Sequence, residues 1–169
     1  MQQTIMTVQS SRPTPRFLLG SASHFIALGF GTGLSPVAPG TVGTALAFPL
    51  YALLTILYTP MEILYLLPVL FMLGVWVCQR TGMDLGVADH GSMVWDEIVA
   101  FLLVLVFAPG GFFWQLAAFL WFRFFDIAKP APIRGLENRF KNGFGVMADD
   151  IVAAFYTIVV LALFKRFLG

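Results

Sequence analysis

Charge and cysteine are both scarce in this sequence. Only 11% of its 169 residues are charged, whereas a typical soluble domain carries about 25%. Hydrophobic residues account for 59% of the chain, and the mean hydropathy is +0.85. Because so few charges cannot cover a soluble domain, the composition excludes that class and predicts an integral membrane protein.

The single cysteine, Cys78, lies in an apolar run and cannot form an internal disulfide. A disulfide-stabilised secreted fold is therefore excluded, and we expect a buried thiol. The formal net charge is only +1, so the chain lacks the strongly basic balance typical of nucleic-acid binding. We expect the membrane bilayer, and no nucleic acid, as a partner.

Apolar runs and glycine or proline breaks divide the chain into segments. We expect a polar flexible tail over residues 1–23 and a single membrane-embedded domain over 24–169. Its predicted segments are an apolar lead-in near 24–30, an irregular glycine and proline loop over 31–40, spans near 41–58 and 61–78, short helices near 94–107 and 112–128, and a last helix near 147–164. The short helices must tilt or be re-entrant. The expected fold is an all-α polytopic membrane helical bundle.

Threading these spans through a bilayer puts nearly all charges at one face. That face holds the tail, the 31–40 loop and the connections 79–97 and 123–150. Eight of the nine acidic and eight of the ten basic residues fall there, as counted along the sequence. Since Lys and Arg accumulate on cytoplasmic loops, this face is predicted to be cytoplasmic.

Acidic residues cluster where three apolar helices meet this face. The clusters are Asp96 and Glu97 with nearby Asp89 and His90, then Asp126, and finally Asp149 with Asp150. One explanation is local, because acids in the first turn of a helix are favoured by its dipole and free amides. The other is a shared cation, since the second acid of an adjacent pair adds repulsion that a cation offsets. Oxygen ligands with no thiolate cluster favour Mg²⁺ or Mn²⁺ over zinc.

Basic residues accompany the second cluster. Arg123, Asp126 and Lys129 recur at three-residue spacing along one predicted helical flank that ends before Pro130. In one interpretation they form an ion-pair ladder. In the other, Lys129 and the following Arg134 hold a phosphate while Asp126 bonds to a metal or water.

The glycine-rich stretch from Gly29 to Gly43 is unsuited to a lipid-exposed helix. Its amides and hydroxyls could bind an anion, in which case the predicted phosphate contacts are Thr32, Gly33, Ser35, Gly40 and Thr41. Gly29 and Gly33 could instead serve helix packing. His24 and His90 have a structural interpretation, and His90 beside Asp89 also has one as a proton relay.

Four motifs in this order resemble the phosphatidylglycerophosphatase A family of bacterial lipid phosphatases. They are GFGTGLSPVAPGTVGT at 29–44, DHGSMVWDE at 89–97, FRFFDIAKPAPI at 122–133 and GFGVMADDIVA at 143–153, and the resemblance extends over about residues 24–165. It implies dephosphorylation of phosphatidylglycerophosphate to phosphatidylglycerol, dependence on Mg²⁺, and a location in the bacterial inner membrane with the site facing the cytoplasm.

The resemblance also implies which residues are functional. Its matched positions are Asp96, Glu97, Asp126, Lys129, Asp149, Asp150 and the glycine loop. We assign Asp96, Glu97, Asp149 and Asp150 to the metal or to orienting water, and Lys129 with Arg134 to the phosphate. Attack by water is the expected mechanism and a phospho-aspartate the competing one. A divalent-cation transporter and a non-enzymatic assembly subunit are the alternative functions.

Overall fold

Helices form most of the structure, a computed structural model that describes residues 12–131, 133, 135 and 139–168. The described residues contain no β-strand, so the prediction of an all-helical fold is confirmed. The helices are α1 (Pro15–Leu19), α2 (Ala22–Ala27), a 3₁₀ helix (Gly29–Leu34), α3 (Pro39–Leu57), α4 (Pro60–Leu85), α5 (Trp95–Phe107), α6 (Phe112–Ala128) and α7 (Gly143–Leu168).

Three of these helices, α3, α4 and α7, are long and apolar enough to cross a membrane. Proline in the first turn starts both α3 and α4, where its missing N–H breaks no helical hydrogen bond. A capping box between Thr59 and Glu62 fixes the start of α4. α3 contains Pro49 and α4 contains Pro68 without ending there.

The short helix α5 is the centre of the bundle. Nine of its thirteen residues are buried, and it packs against α3, α4 and α7. Phe101 packs at a tilt against the ring of Phe122 of α6 and edge to face against Phe48 of α3. Because α5 is sheltered by its neighbours, its 13 residues need not match the length of about 20 that a lipid-exposed crossing requires.

Two helices are longer than the sequence predicts. The polar stretch after Cys78 was expected to be a connection, but α4 continues to Leu85 and ends at Gly86 in a left-handed cap. Arg80 and Asp84 pair one turn apart on it. α7 begins at Gly143 instead of near residue 147.

Helices occupy part of the stretch that the sequence predicts to be a polar tail. Residues 1–11 lie outside the described part, but α1 and α2 are helices within or overlapping the remainder. His24 fixes them: its ring stacks on Phe17, its Nδ1 bonds to the Phe17 carbonyl at 2.9 Å, and its Nε2 lies 2.8 Å from Asp84. The local sequence is polar and gives no sign of the contact with Asp84, which is 60 positions away.

Candidate active site

Three carboxylates from two helices converge at the end of the bundle where α3, α5 and α7 begin. Asp96 and Glu97 of α5 and Asp150 of α7 each offer an oxygen atom, and these oxygens all lie within 4.8 Å of one another. We call these three residues the acidic group. Their side-chain atoms Asp96 Oδ1, Glu97 Oε2 and Asp150 Oδ2 are buried without a hydrogen-bond partner among the described residues.

The position of Asp96 and Glu97 on α5 explains part of their tolerance. They lie in its first turn, where the helix dipole and free amides favour negative charge. Burial nevertheless raises the pKa of Glu97 to about 7 and raises the pKa of Asp96 well above its usual range. The dipole alone therefore does not offset the removal of these carboxylates from water.

Helix capping does not account for the pair on α7. Because α7 begins at Gly143, Asp149 and Asp150 lie beyond its first turn. Successive residues on a helix point about 100° apart, so the two carboxylates separate. Asp150 joins the acidic group, whereas Asp149 accepts a hydrogen bond from Lys129 Nζ at 2.9 Å.

Lys129 reaches Asp149 because α6 stops at Ala128. Lys129 is its C-cap, and its φ of 43° places the backbone in the left-handed region before Pro130. It is therefore not on the α6 flank with Arg123 and Asp126, as the three-residue spacing predicted. The amine turns away from that helix and pairs with an acid that is 20 positions distant.

Arg123 connects the acidic group to α3. Its guanidinium contacts Asp126 one turn ahead on α6, lies 3.5 Å from Glu97, and donates to the Thr44 hydroxyl at 3.3 Å. Thr44 in turn donates to the Gly40 carbonyl at 2.8 Å. The ladder interpretation therefore fits Arg123 and Asp126, but the same arginine also fixes Glu97, a carboxylate on another helix.

A cavity of about 280 Å³ with both polar and apolar lining residues borders Asp149. Its lining comes from the connection before α5, the residues before α7 and the first turns of α7, and includes Ala88, Asp89, Phe140, Lys141, Asn142, Gly145, Val146 and Asp149. It is large enough for a phosphate and several waters. This cavity gives the Asp149 carboxylate a route to solvent.

In the predicted anion-binding loop, the hydroxyls of Thr32 and Ser35 form hydrogen bonds with carbonyls of the loop itself. Thr32 Oγ1 donates to the Gly29 carbonyl, and Ser35 Oγ donates to the Val37 carbonyl, each at 2.8 Å. Gly33 is buried against the Ser92 carbonyl. Thr41 is half-buried in the first turn of α3.

Gly40, by contrast, lies at the acidic group, where a β-carbon would overlap the Glu97 carboxylate. Arg134, the other predicted phosphate ligand, lies outside the described residues. The phosphate-binding roles of the loop residues therefore stay predictions.

The histidines have structural contacts. His24 joins α2 to α4 through Asp84, and His90 Nδ1 accepts from the Ser92 amide at 3.1 Å. Sequence reasoning missed Thr44 as part of the site. Its signal was weak, since a threonine within an apolar helix usually bonds to the preceding turn, and only the fold brings Arg123 to it.

Comparison with known proteins identifies close relatives. A profile of the family described as phosphatidylglycerophosphatase A matches residues 25–165. A protein of that name from Haemophilus influenzae is 43% identical over 152 residues, covering 89% of this chain and 93% of the relative. Its namesake from Escherichia coli is 38% identical over 160 residues, covering 94% and 92%.

A further relative from Bacteroides thetaiotaomicron carries a different, provisional name, phosphatidylinositol-3-phosphatase. It is 36% identical over 151 residues, covering 85% of this chain and 94% of the relative. No solved structure matches the chain. Names of both kinds describe phosphatases.

Proposed function

The chain belongs to the phosphatidylglycerophosphatase A family, and from this premise we propose that it is a Mg²⁺-dependent membrane phosphatase. It removes the terminal phosphate of phosphatidylglycerophosphate and leaves phosphatidylglycerol. The observation that carries the proposal is the acidic group, three converging carboxylates that each keep a buried oxygen without a partner among the described residues.

The acidic group fits Mg²⁺ by the chemistry of its donors. Mg²⁺ is bound through a few carboxylate oxygens and completes its shell with water and substrate phosphate. Asp96, Glu97 and Asp150 are the residues that would hold it. When bound, the ion supplies positive charge that offsets the carboxylates and attracts the phosphoryl oxygens.

Lys129 and Asp149 stand beside this group as a second pair. We propose that Lys129 transfers its hydrogen bond from Asp149 to the substrate phosphate, as a fixed cation suited to a phosphoryl oxygen. Asp149, which borders the 280 Å³ cavity, then orients water. We propose attack by water and not the formation of a phospho-aspartate, because the carboxylates of the acidic group would be bound to the metal and would not act as nucleophiles.

Arg123 and Asp126 position the acidic group without being ligands themselves. Asp126 holds the guanidinium, and the guanidinium holds Glu97. Both carboxylates meet the same nitrogen, Arg123 Nη1, so the position of that nitrogen couples Asp126 to Glu97. We therefore propose that Asp126 functions through Arg123 and not as a metal ligand.

The proposed location is the bacterial inner membrane, with the acidic end facing the cytoplasm. Among the described residues, Arg80 of α4 and Arg139 and Lys141 before α7 lie on the acidic side, and Lys165 and Arg166 lie at the opposite end. The lipid phosphate lies at the leaflet surface, at the same level as the acidic group.

A cation transporter is less well supported by the described residues. An ion path across a membrane needs polar groups at several depths. α3 contains no charged residue, and α7 has none between Asp150 and Lys165. Acids at one end of the bundle suit a surface reaction, whereas a crossing path would leave this distribution unexplained.

Phosphate release from purified protein in detergent tests the proposal. We expect release from phosphatidylglycerophosphate with Mg²⁺ and loss of release with EDTA, restored by added Mg²⁺. Phosphatidylinositol 3-phosphate serves as the competing substrate suggested by the Bacteroides relative.

Asp150→Asn should abolish turnover, and Asp84→Asn is its matched control because Asp84 pairs with His24 outside the acidic group. Undiminished release in EDTA would exclude the metal. Preference for phosphatidylinositol 3-phosphate would reassign the substrate, and ion flux without phosphate release would reassign the class.

A further inference from the structure

An apolar groove opens on the flank of the bundle between α4, α5 and α7. Its volume is about 330 Å³, and its lining is entirely apolar: Leu64, Leu67, Pro68 and Phe71 of α4, Val99 and Leu103 of α5, and Ile151 of α7. Val99 is only 1% exposed and forms part of its floor. The groove therefore enters the core between the helices.

The groove begins beside the acidic group. Ile151 follows Asp150 directly on α7. Val99 is three residues beyond Asp96, which places these two on neighbouring faces of α5. Leu103 lies one turn further along the helix, about 6 Å from Val99 and away from the charged end. An apolar path thus leads from the carboxylates into the depth of the bundle.

A second apolar cavity lies away from the acidic group, so nearness to that group is not common to all cavities. It measures about 350 Å³ and lies between α3 and α6, with Phe112, Gln115 and Leu116 in its lining. These three residues belong to the first turns of α6, at the opposite end from Lys129. None of its lining residues is adjacent in sequence to a member of the acidic group.

We propose that the groove between α4, α5 and α7 holds an acyl chain of the lipid substrate. This inference rests on the proposed function. The phosphate and the acyl chains are covalently linked, so a phosphate held at the acidic group brings a chain to the nearest apolar surface.

The cavity at Asp149, whose lining includes Asp89, Lys141 and Asn142, lies on the other flank of the α7 start, since residues 149 and 151 point about 200° apart on a helix. The lipid is therefore on one side of the acidic group and the water on the other. This arrangement suits a substrate whose terminal phosphate is the part furthest from its chains.

The contribution of the groove is positional. A chain that leaves the bilayer for an apolar groove exchanges one apolar environment for another and gains little from burial. It gains orientation, because a seated chain limits where the phosphate can lie. We therefore expect the length of the acyl chain to change the reaction rate more than it changes the affinity for the substrate.

Filling the groove tests this. Leu103→Trp places an indole in it, and Leu116→Trp makes the same change in the second cavity. We expect Leu103→Trp to lower kcat/KM for dioleoyl substrate about tenfold more than for the dihexanoyl form, and Leu116→Trp to affect both forms alike. Equal losses on both forms with Leu103→Trp, or no loss, would overturn the inference.

A second measurement uses the unaltered protein, in case Leu103→Trp fails to fold. Phosphatidylglycerophosphate with a photoreactive diazirine on its acyl chain should label peptides from 64–71 and 99–103, and unlabelled phosphatidylglycerophosphate should suppress the labelling while phosphatidylcholine does not. Labelling confined to 112–119, or equal suppression by both lipids, would refute the groove. If the protein releases no phosphate from any chain length, the proposed function fails, whereas labelling still reports on the groove separately.

Discussion

Gly40 lies directly against the carboxylate of Glu97. A β-carbon at position 40 would overlap Glu97 Oε1 and approach Arg123 within 3.2 Å. The glycine that the sequence suggested as an anion contact therefore has a second purpose, which is to let α3 approach the acidic group. Its effect should appear in the position of Glu97.

Gly40→Ala should lower activity. Helix propensity favours alanine by up to about 1 kcal/mol, but the overlap forces Glu97 away from Asp96 and Asp150, and we expect turnover to fall at least tenfold, as about 1 Å of misplacement can. Gly110→Ala is the control, since nothing lies within 4 Å of its β-carbon position. Phosphate release and thermal unfolding measure the two effects, and normal turnover in Gly40→Ala would contradict the close approach.

Asp150→Asn should have opposite effects on stability with and without Mg²⁺. In EDTA the variant should unfold at a higher temperature than the native protein, because one of three mutually repelling buried carboxylates becomes neutral. With Mg²⁺ at about 100 times its Kd, the native protein should gain about 2.7 kcal/mol and the variant much less. Thermal melting in detergent, with and without Mg²⁺, measures these gains. Equal gains by the native protein and the variant would show that the acidic group does not bind the ion.

Lys129→Met should reduce stability and activity together, since it leaves Asp149 buried without its cation. Breaking a buried pair by removing one partner costs about 3 kcal/mol, and the pair is largely buried here. The double variant Lys129→Met with Asp149→Asn separates the two roles. We expect it to restore the melting temperature and not the turnover; recovery of both would reduce the pair to a structural ion pair.

Arg123→Lys should lower turnover by one to two orders of magnitude, roughly the cost of misplacing a catalytic group. One nitrogen, Arg123 Nη1, contacts Glu97, Asp126 and Thr44. The lysine side chain is one atom shorter and flexible, so its amine would not stay at that position. The matched change Arg80→Lys alters a side chain that is 58% exposed and should be neutral. A Mg²⁺ titration of activity is the informative measurement, because a loosened Glu97 should raise the Mg²⁺ concentration needed for half-maximal rate.

The sequence predicted helix boundaries well where an apolar run met a clear break. The short helices expected near 94–107 and 112–128 are Trp95–Phe107 and Phe112–Ala128, because the APGG break between them removes both helix continuity and side-chain packing. It failed where polar residues belong to a helix. α4 runs through Arg80 and Asp84 because His24, 60 positions earlier, supplies a partner that no local pattern contains.

Convergence of the acids was likewise predictable, but their division was not. Doubled acids at the ends of oily helices indicated a shared site, and Asp96, Glu97 and Asp150 meet. The sequence treated Asp149 as their equal, yet it pairs with Lys129. Which member of an adjacent pair faces inward depends on the rotation of α7 about its axis, and packing against α4, α5 and α6 sets that rotation.

By itself the sequence determined that this chain forms long apolar helices with charge gathered at one end, because removing apolar surface from water and pairing backbone groups within each helix depend only on local residues. The tertiary structure decided which charges meet. The left-handed turn at Lys129, the close approach at Gly40 and the reach of Arg123 to Thr44 depend on how separate helices pack. Electrostatic interactions act across distances in space, and distance along the chain does not specify them.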